Sequence, residues 1–235
     1  MGTLGDMETW RAKAARENAE WCDLMARSHG CATCFDADAW TSATPTPPGY
    51  PDAVTLLPSL DVETLLARID TSAGCSIKDS FASLDLRPAG FRVLFEAEWI
   101  VHAGPSATPA SADGPWEQVH DDAGLVAWER AWQGGDGPTG LFRSELLDDE
   151  MILIAGARRG GSFGAGAIFH RSAAVVGVSN VFGEAASAWS GCLAFAASSF
   201  PGMPLVGYER GDDLAQALHH GFEPAGPLRV WVRDG

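Results

Sequence analysis

The chain has 235 residues, of which 46% are hydrophobic and 20% charged, so it has enough apolar surface for a large core and does not have a disordered composition. Its formal net charge of -15 repels phosphate backbones and anionic headgroups, which argues against nucleic acid and membrane partners. No apolar run is long enough to span a bilayer, no basic-plus-apolar leader opens the chain, and the cysteines are odd in number and scattered. We therefore expect a cytoplasmic protein with reduced thiols.

The first part of the chain predicts helices separated by an extended stretch. Apolar residues recur at helical spacing over residues 9–28, and Gly30 follows as a helix-ending residue. Prolines are concentrated in residues 41–51, so this stretch predicts an extended connector. A short strand is expected over residues 53–57, and a helix capped by its first residue is expected over 61–69.

The best strand pattern of the N-terminal region follows an ambiguous stretch. Residues 77–86 fit no single pattern, whereas 91–101 alternate between apolar and polar side chains, as a strand with one buried face does. The apolar side of this strand includes Trp99, and its polar side carries Glu96 and Glu98. The sequence thus places two carboxylates on one face of a predicted strand.

A stretch rich in Gly, Pro, Ser and Ala follows this strand at residues 103–115. It has little periodicity, so it predicts a surface loop or linker rather than a helix or strand. We therefore expect three parts, which are an N-terminal, partly helical region over 1–103, a linker or loop over 104–118, and a C-terminal lobe over 119–235.

The C-terminal part alternates between strands and helices. Its predicted elements are a turn of helix followed by a strand over 119–128, a short helix or turn at 145–147, strands at 151–157, 164–170 and 173–178, a helix at 184–200, a strand at 205–208, a helix at 212–220 and a strand at 228–232. The glycines between the predicted strands at 151–157 and 164–170 indicate a hairpin turn. They do not indicate a phosphate-binding loop, because no helix follows them. This order predicts an α/β (α+β) fold with a mixed, mostly antiparallel sheet flanked by helices.

The order of elements resembles the GNAT (N-acetyltransferase-like) superfamily. The strands at 151–157 and 164–170 resemble its hairpin, and 173–178 resembles the strand that separates from its neighbour in that family. The helix at 184–200 resembles the one that faces the pyrophosphate of acyl-CoA, and residues 212–222 resemble the late helix that ends in Gly-Phe. The resemblance covers about half of the chain.

A weaker resemblance concerns the N-terminal half. A strand, a helix and then Gly90-Phe91 before another strand form a series parallel to the one at the C-terminal end. We keep open the interpretation that residues 1–103 contain a degenerate GNAT-like lobe, which would make the arrangement tandem.

The resemblance implies that acetyl-CoA or another acyl-CoA is the co-substrate. The residues that it assigns to the binding of acyl-CoA are Val176, Val178, Ser179, Asn180, Val181, Phe182, Gly183, Ala185 and Ala186. The glycine-rich loop of most members is missing here, since only Gly183 offers a permissive backbone, and Glu184 places a negative charge where phosphate is expected. Ser179 and Asn180 could instead cap the following helix.

Transfer of an acyl group to an amine needs a base for the ammonium and an acid for the thiolate. The late-helix tyrosine of many members is absent, so Tyr208, or else His219, is our candidate acid. Glu209 directly follows the strand expected to flank the acyl group and is a candidate base, as is Glu98. Glu96 and Glu129, which lie on or beside predicted strands, are weaker candidates for the base.

Four potential soft ligands raise the question of zinc. Cys22, His29, Cys31 and Cys34 lie near one another in sequence, but they contain one Cys-x-x-Cys pair only, and Cys22 falls on a predicted helix. Buried free thiols are the preferred interpretation, and we predict no metal.

The sequence leaves three functions open. The first is an acyl-CoA-dependent N-acyltransferase (acetyltransferase) that acts on a small-molecule amine, and the second is a catalytically degenerate GNAT-fold binding or regulatory protein. A weaker third is another acyl-handling reaction, such as thioester transfer or decarboxylation, since fold does not fix chemistry. The sequence does not define the oligomeric state and leaves a homodimer open.

Overall fold

The computed structural model of the chain describes residues 4–105, 114–135 and 137–234. Contacts group it into two units, of which the first comprises Met1–Trp99 with Pro224–Gly235 and the second comprises Ile100–Glu223. The predicted division at 104–118 stays a prediction, because contact grouping does not show which parts fold independently and residues 106–113 lie outside the described ones. No helix in the described ranges is both long and apolar enough to cross a membrane.

The described residues form sixteen helices and strands, besides two short 3-10 helices at Arg87–Ala89 and Ser144–Leu147. In chain order they are α1 Leu4–Ser28, β1 Thr33–Phe35, β2 Ala39–Ser42, β3 Ala53–Thr55, α2 Val62–Leu66, β4 Ser76–Asp79, β5 Phe91–His102, β6 Glu117–Gln118, α3 Asp122–Trp132, β7 Ile152–Arg159, β8 Ser162–Arg171, β9 Val176–Phe182, α4 Ala185–Ser199, β10 Leu205–Glu209, α5 Gly211–His219 and β11 Glu223–Arg233.

The first unit is built on strands in the order β1-β2-β3-β4-β11-β5. β3 and β4 are parallel and are joined through α2, whereas β11, the last strand of the chain, pairs antiparallel with β4. One core packs α2 against the sheet around Leu65, Ile77 and Trp231, all of which are fully buried. A degenerate GNAT-like lobe in this region stays a prediction.

Several elements of the N-terminal region confirm the predictions made from the sequence. α1 covers the predicted helix of residues 9–28 and begins earlier, at Leu4. Asp61 caps α2 by accepting a hydrogen bond from Thr64 N at 3.2 Å, but the helix ends at Leu66 and not at residue 69. β5 alternates as predicted over its first half, since Phe91 is buried and Arg92 is exposed.

The second unit has its strands in the order β10-β9-β8-β7-β6. The pairs from β6 to β9 are antiparallel, and β9 pairs with β10 in parallel. α4 packs on this sheet through a core that includes Phe169, Trp189 and Phe222. The prediction of a mixed, mostly antiparallel sheet flanked by helices is confirmed.

Turn chemistry explains the β7–β8 hairpin. Gly160 and Gly161 join the two strands with φ of 61° and 92°, positive at both positions as two-residue hairpin turns of type I′ require. The prediction of a hairpin turn here, rather than a phosphate-binding loop, is confirmed.

The prediction of a turn of helix followed by a strand over 119–128 is wrong in its strand, because the helix α3 continues through this region. The Asp121 carboxylate accepts a hydrogen bond from Gly124 N at 2.7 Å and thereby caps the helix. Leu125, Trp128 and Glu129 then share one buried face at helical spacing. The predicted strand at 173–178 also differs, since β9 begins at Val176 and continues through Phe182.

Candidate functional site

Strands β9 and β10 pair only at the start of their shared length. Their recorded parallel register contains two pairs, Val176 with Leu205 and Gly177 with Val206, while both strands continue beyond it. Gly207 still lies close to β9, because a Cβ added there would stand 2.7 Å from the carbonyl oxygen of Val178. The opening between the strands therefore begins after this level, near the predicted position.

A β-bulge lies on β9 beside this opening. Gly166 and Ile168 of β8 register with Phe182 and Ser179 of β9, so three steps along β9 match two along β8. The extra residue falls where Asn180 has a left-handed φ of 55°, which non-glycine residues seldom adopt. Bulges leave a residue outside the ladder and redirect the neighbouring side chains. On the other edge of β9, which the structure describes throughout, the recorded pairing with β10 ends at Gly177.

The turn from β9 into α4 depends on Gly183. Its φ is 123°, and a Cβ at this position would lie 2.7 Å from the Cβ of Ala165 on β8. Both the dihedral angle and the contact require glycine here. The turn therefore presses the start of α4 onto the sheet and fixes the helix beside the bulge.

Glu184 is the N-cap of α4. Its carboxylate accepts a hydrogen bond from Ser187 N at 3.2 Å, and its carbonyl oxygen accepts one from Ser187 Oγ at 3.2 Å. The alternative that Ser179 or Asn180 caps this helix is wrong, because both lie within β9. The amides of Ala185 and Ala186, in the first turn, have no intrahelical acceptor.

A cavity of about 60 Å³ lies where the end of β9, the start of α4, the end of β10 and the start of α5 meet. Its lining residues are Val181, Phe182, Gly183, Ala185, Ala188, Trp189, Glu209 and Asp213. It includes four predicted acyl-CoA-binding residues and one predicted catalytic residue, and none of the eight described residues that line it is basic. Its volume admits a small group rather than a whole ligand.

Glu209 is a half-buried carboxylic acid in this cavity, and its environment shifts its pKa. Burial, with a smaller contribution from the nearby charge of Asp213, raises the pKa of its carboxyl from the ordinary value of 4.5 to about 7. Glu209 ends β10, and Asp213 lies in the first turn of α5. A carboxyl with a pKa near neutrality exchanges its proton readily at physiological pH.

The other predicted catalytic residues do not line this cavity. Tyr208 precedes Glu209 on β10, and neighbouring strand residues point to opposite faces, so the two side chains diverge. His219 is exposed. Glu98 belongs to the first unit, where its carboxylate accepts a hydrogen bond from Gly226 N at 3.0 Å.

The two weaker carboxylate candidates have structural partners. Glu96 forms an ion pair with Arg229 at 2.6 Å. The buried Glu129 carboxylate accepts hydrogen bonds from Gly140 N and Leu141 N, both at 2.8 Å, and so holds a loop against α3.

Sequence reasoning missed Asp213, Trp189 and Ala188 as members of the site. An acidic residue four positions after Glu209, across a strand-to-helix turn, was the available signal for Asp213. No sequence pattern identified Trp189 as a site residue. It is buried on α4 and packs on Phe222, with 5.1 Å between the ring centroids.

The cysteines do not form a metal site in the described ranges, where no three potential ligands converge. Cys22 is fully buried, and burial raises the pKa of its thiol to about 11, as a structural thiol requires. The expectation of buried thiols is confirmed for Cys22 but is wrong for Cys31, which is half-buried, and for Cys34, which is exposed.

Comparison with known proteins shows the fold. No protein-family model matches the sequence, and no curated protein matches it at a significant level. A GCN5-related N-acetyltransferase from Kribbella flavida is 15% identical, with a TM-score of 0.59 over 94% of this chain and 96% of that one. A GCN5-related N-acetyltransferase-like protein from Streptococcus suis 89/1591 is 12% identical, with a TM-score of 0.55 over 96% of this chain and 99% of the other.

A third similar structure is a protein described as an acetyltransferase from the GNAT family of Novosphingobium aromaticivorans. It is 13% identical, with a TM-score of 0.56, over 92% of this chain and 96% of that chain. Identities this low establish the common fold alone, and they confirm the architecture that the sequence resembles.

Proposed function

We propose that this chain, a divergent protein with the GNAT fold, is an acyl-CoA-dependent N-acyltransferase that acts on a small-molecule amine. The observation that carries the proposal is the position of Glu209. Its half-buried carboxyl, with a pKa of about 7, lies beside the opening between β9 and β10 and the N-terminus of α4. An acid–base group, an interrupted sheet and a helix N-terminus thus meet at one place.

The residues at this opening offer more contacts to the pantetheine chain of acyl-CoA than to its phosphates. The bulged strand around Asn180 offers backbone groups to an extended chain such as pantetheine. The amides of Ala185 and Ala186 are positioned to accept a phosphate at the positive end of α4. The third amide of this turn, Ser187 N, is already bound to the Glu184 carboxylate.

Acyl-CoA would supply the acyl group as an activated thioester. In the proposed reaction, Glu209 takes a proton from the ammonium of the acceptor and so frees the lone pair that attacks the carbonyl carbon. A backbone N–H at the β9 bulge stabilises the negative charge that develops on the carbonyl oxygen. As the carbon–sulfur bond breaks, the attacking nitrogen loses its second proton to the departing thiolate or to solvent. The proton on Glu209 passes to solvent, and the carboxylate is regenerated.

The decisive experiment measures binding and turnover separately. Isothermal calorimetry with acetyl-CoA is expected to give a binding signal for wild type and for Glu209→Gln alike, because the variant retains the shape of the site. Thiol release in the presence of a panel of small amines is expected for wild type and to fall at least 100-fold in the variant. The exposed neighbour Asp212→Asn serves as the control and should retain activity.

Two results would reject the proposal. One is the absence of any calorimetric signal or thermal shift with acetyl-CoA at about millimolar concentration. The other is full activity in Glu209→Gln, which would remove the carboxylate from the reaction.

A second candidate function is a GNAT-fold protein that binds a ligand without catalysis. It is favoured by the contact between Glu184 and Ser187 N, which occupies part of the helix N-terminus. This alternative predicts acetyl-CoA binding with no thiol release for any amine in the panel. Turnover that depends on Glu209 would exclude it.

A further inference from the structure

An arginine of α1, in the first unit, lacks an acidic partner. Arg11 is half-buried, and its Nε atom is buried without a hydrogen-bond acceptor among the described residues. No carboxylate of those residues forms an ion pair with its guanidinium, although the chain has 31 acidic residues against 16 basic ones. Buried donors in proteins nearly always have a partner, so this one calls for an acceptor that the described residues do not supply.

Arg16, further along α1, shows the usual arrangement. Its guanidinium lies over the Phe35 ring, 4.4 Å from the ring centroid, and also binds the Glu20 carboxylate at 2.8 Å. Arg11 likewise lies over an aromatic ring, that of Phe81, at 5.2 Å from the centroid. The residue four positions after Arg11 is an alanine, so the acid that pairs with Arg16 has no counterpart there.

Two neighbours hold the Arg11 side chain in place. The Phe81 ring is one, and Gly226 of β11 is the other, because a Cβ added there would lie 3.0 Å from both Cδ and Nη1 of Arg11. Gly226 has a φ of 124°, so its backbone favours glycine as well. Arg11, Phe81 and Gly226 are all half-buried, which leaves the stacked pair open to a small ion from solvent.

A second polar atom without a partner adjoins Phe81. Ser80, the preceding residue, is fully buried, and its hydroxyl has no hydrogen-bond partner in the part of the chain that the structure describes. The Asp79 carboxylate accepts hydrogen bonds from Phe81 N at 3.3 Å and from Leu84 N at 2.8 Å, and so fixes the turn that carries Ser80 and Phe81. Two unsatisfied polar groups from separate elements therefore occur at the stacked pair.

We propose that Arg11, Phe81 and Ser80 form a binding site for a small monocarboxylate. A planar carboxylate accepts two parallel N–H bonds from a guanidinium, and its single charge balances the unpaired cation. Ser80, which is fully buried, contributes its hydroxyl through a bound water. The Glu98 carboxylate binds the adjoining Gly226 N at 3.0 Å and brings negative charge nearby, so the more highly charged phosphate is disfavoured. The site is independent of the proposed acyltransfer reaction.

Nuclear magnetic resonance of the arginine Nε–H groups tests the site directly. Sodium acetate is titrated into the protein while sodium chloride keeps the ionic strength constant, and the Arg11 signal is identified by its absence in Arg11→Lys and Arg11→Gln. A saturating shift of this signal is expected, with a dissociation constant on the order of 1 mM. The Arg16 signal should not move, because the Glu20 carboxylate already binds its guanidinium.

Variants separate the contributions of the individual side chains, and the backbone amide signals of Phe81 and Gly226 report acetate binding in each. Arg11→Gln removes the cation and should weaken binding about 10-fold or more, whereas Arg11→Lys keeps the charge without the planar fork and should weaken it about 5-fold. Ser80→Ala should weaken it about 3-fold. Arg16→Gln is the matched control, since it removes a stacked but paired arginine of the same helix, and it should stay within about 2-fold of wild type.

Three results would overturn the site. An Arg11 signal that drifts without saturation, or one that shifts equally with acetate and inorganic phosphate at the same ionic strength, shows an adventitious ion only. Acetate affinity that is unchanged in Arg11→Gln removes the guanidinium from the site. The wild-type titration decides the matter even if one variant unfolds. Acetyl-CoA binding and thiol release decide the acyltransferase proposal separately, so either proposal can fail alone.

Discussion

Replacing Glu209 by glutamine is expected to change how the stability of the protein depends on pH. Burial, and secondly Asp213, raise the pKa of the Glu209 carboxyl from 4.5 to about 7. Because the folded-state pKa lies above the unfolded value, the folded protein binds this proton more tightly than the unfolded chain does. The resulting stability is complete below about pH 4.5 and is lost as the pH rises through about 7.

The size of the effect follows from the pKa difference. The interval from 4.5 to about 7 corresponds to about 2.5 pKa units, each equivalent to about 1.36 kcal/mol. Wild type should therefore lose about 3 kcal/mol of unfolding free energy relative to Glu209→Gln between about pH 4 and about pH 8. Asp213→Asn removes the smaller cause of the shift, so wild type should lose more than this variant.

Urea unfolding monitored by tryptophan fluorescence, at half-unit pH steps, measures this difference. The free energy of unfolding comes from linear extrapolation, and the comparison of the two proteins at each pH cancels the titration of other groups. Asp212→Asn serves as the matched acid-to-amide control and should follow wild type. A wild-type-minus-variant difference that stays constant from about pH 4 to about pH 8 would refute the reasoning, because it would show that Glu209 titrates normally.

Three further substitutions test the backbone of the second unit by urea unfolding. Gly207→Ala places a Cβ 2.7 Å from the Val178 carbonyl oxygen and should cost about 1–3 kcal/mol; an unchanged midpoint would contradict the close approach. Asp121→Ala removes the cap of α3 and should cost about 1 kcal/mol, while an equal loss in Asp122→Ala would show that capping is not the cause. Glu129→Ala leaves two loop amides without their acceptor and should cost about 2 kcal/mol or more, of which Glu129→Gln should recover part; equal losses would reject this role.

Local sequence patterns identified the elements whose cause is itself local. The β7–β8 hairpin follows from Gly160 and Gly161, and α4 and α5 follow from helical periodicity and their flanking residues. The sequence predicts a strand within 119–128, where the structure has α3, because the Trp and Val side chains of this stretch are as compatible with a strand as with a helix. The helix is distinguished by the hydrogen bond that Gly124 N donates to the Asp121 side chain, a three-dimensional feature of the cap.

The candidate site was predictable in location and only partly in composition. The order of strands and helices pointed to the end of β9 and the end of β10, and Glu209 was chosen from its position there. The bulge at Asn180 was not predictable, because an extra residue on β9 exists only relative to the register of β8. Sequence alone also could not decide whether Tyr208, Glu209 or His219 faces the cavity, because that depends on how β10 and α5 pack beside α4.

The geometry of the opening is set by backbone contacts that a motif search does not detect. Gly183 approaches Ala165 of β8, and Gly207 approaches Val178 of β9, and in both cases a Cβ would lie 2.7 Å from the nearest atom. These two contacts hold the turn into α4 and the end of β10 at fixed positions on either side of the bulge. Since backbone amides can hold anions and polarise carbonyl groups without particular side chains, the fold can keep the parts needed for acyl transfer after the glycine-rich loop sequence is lost.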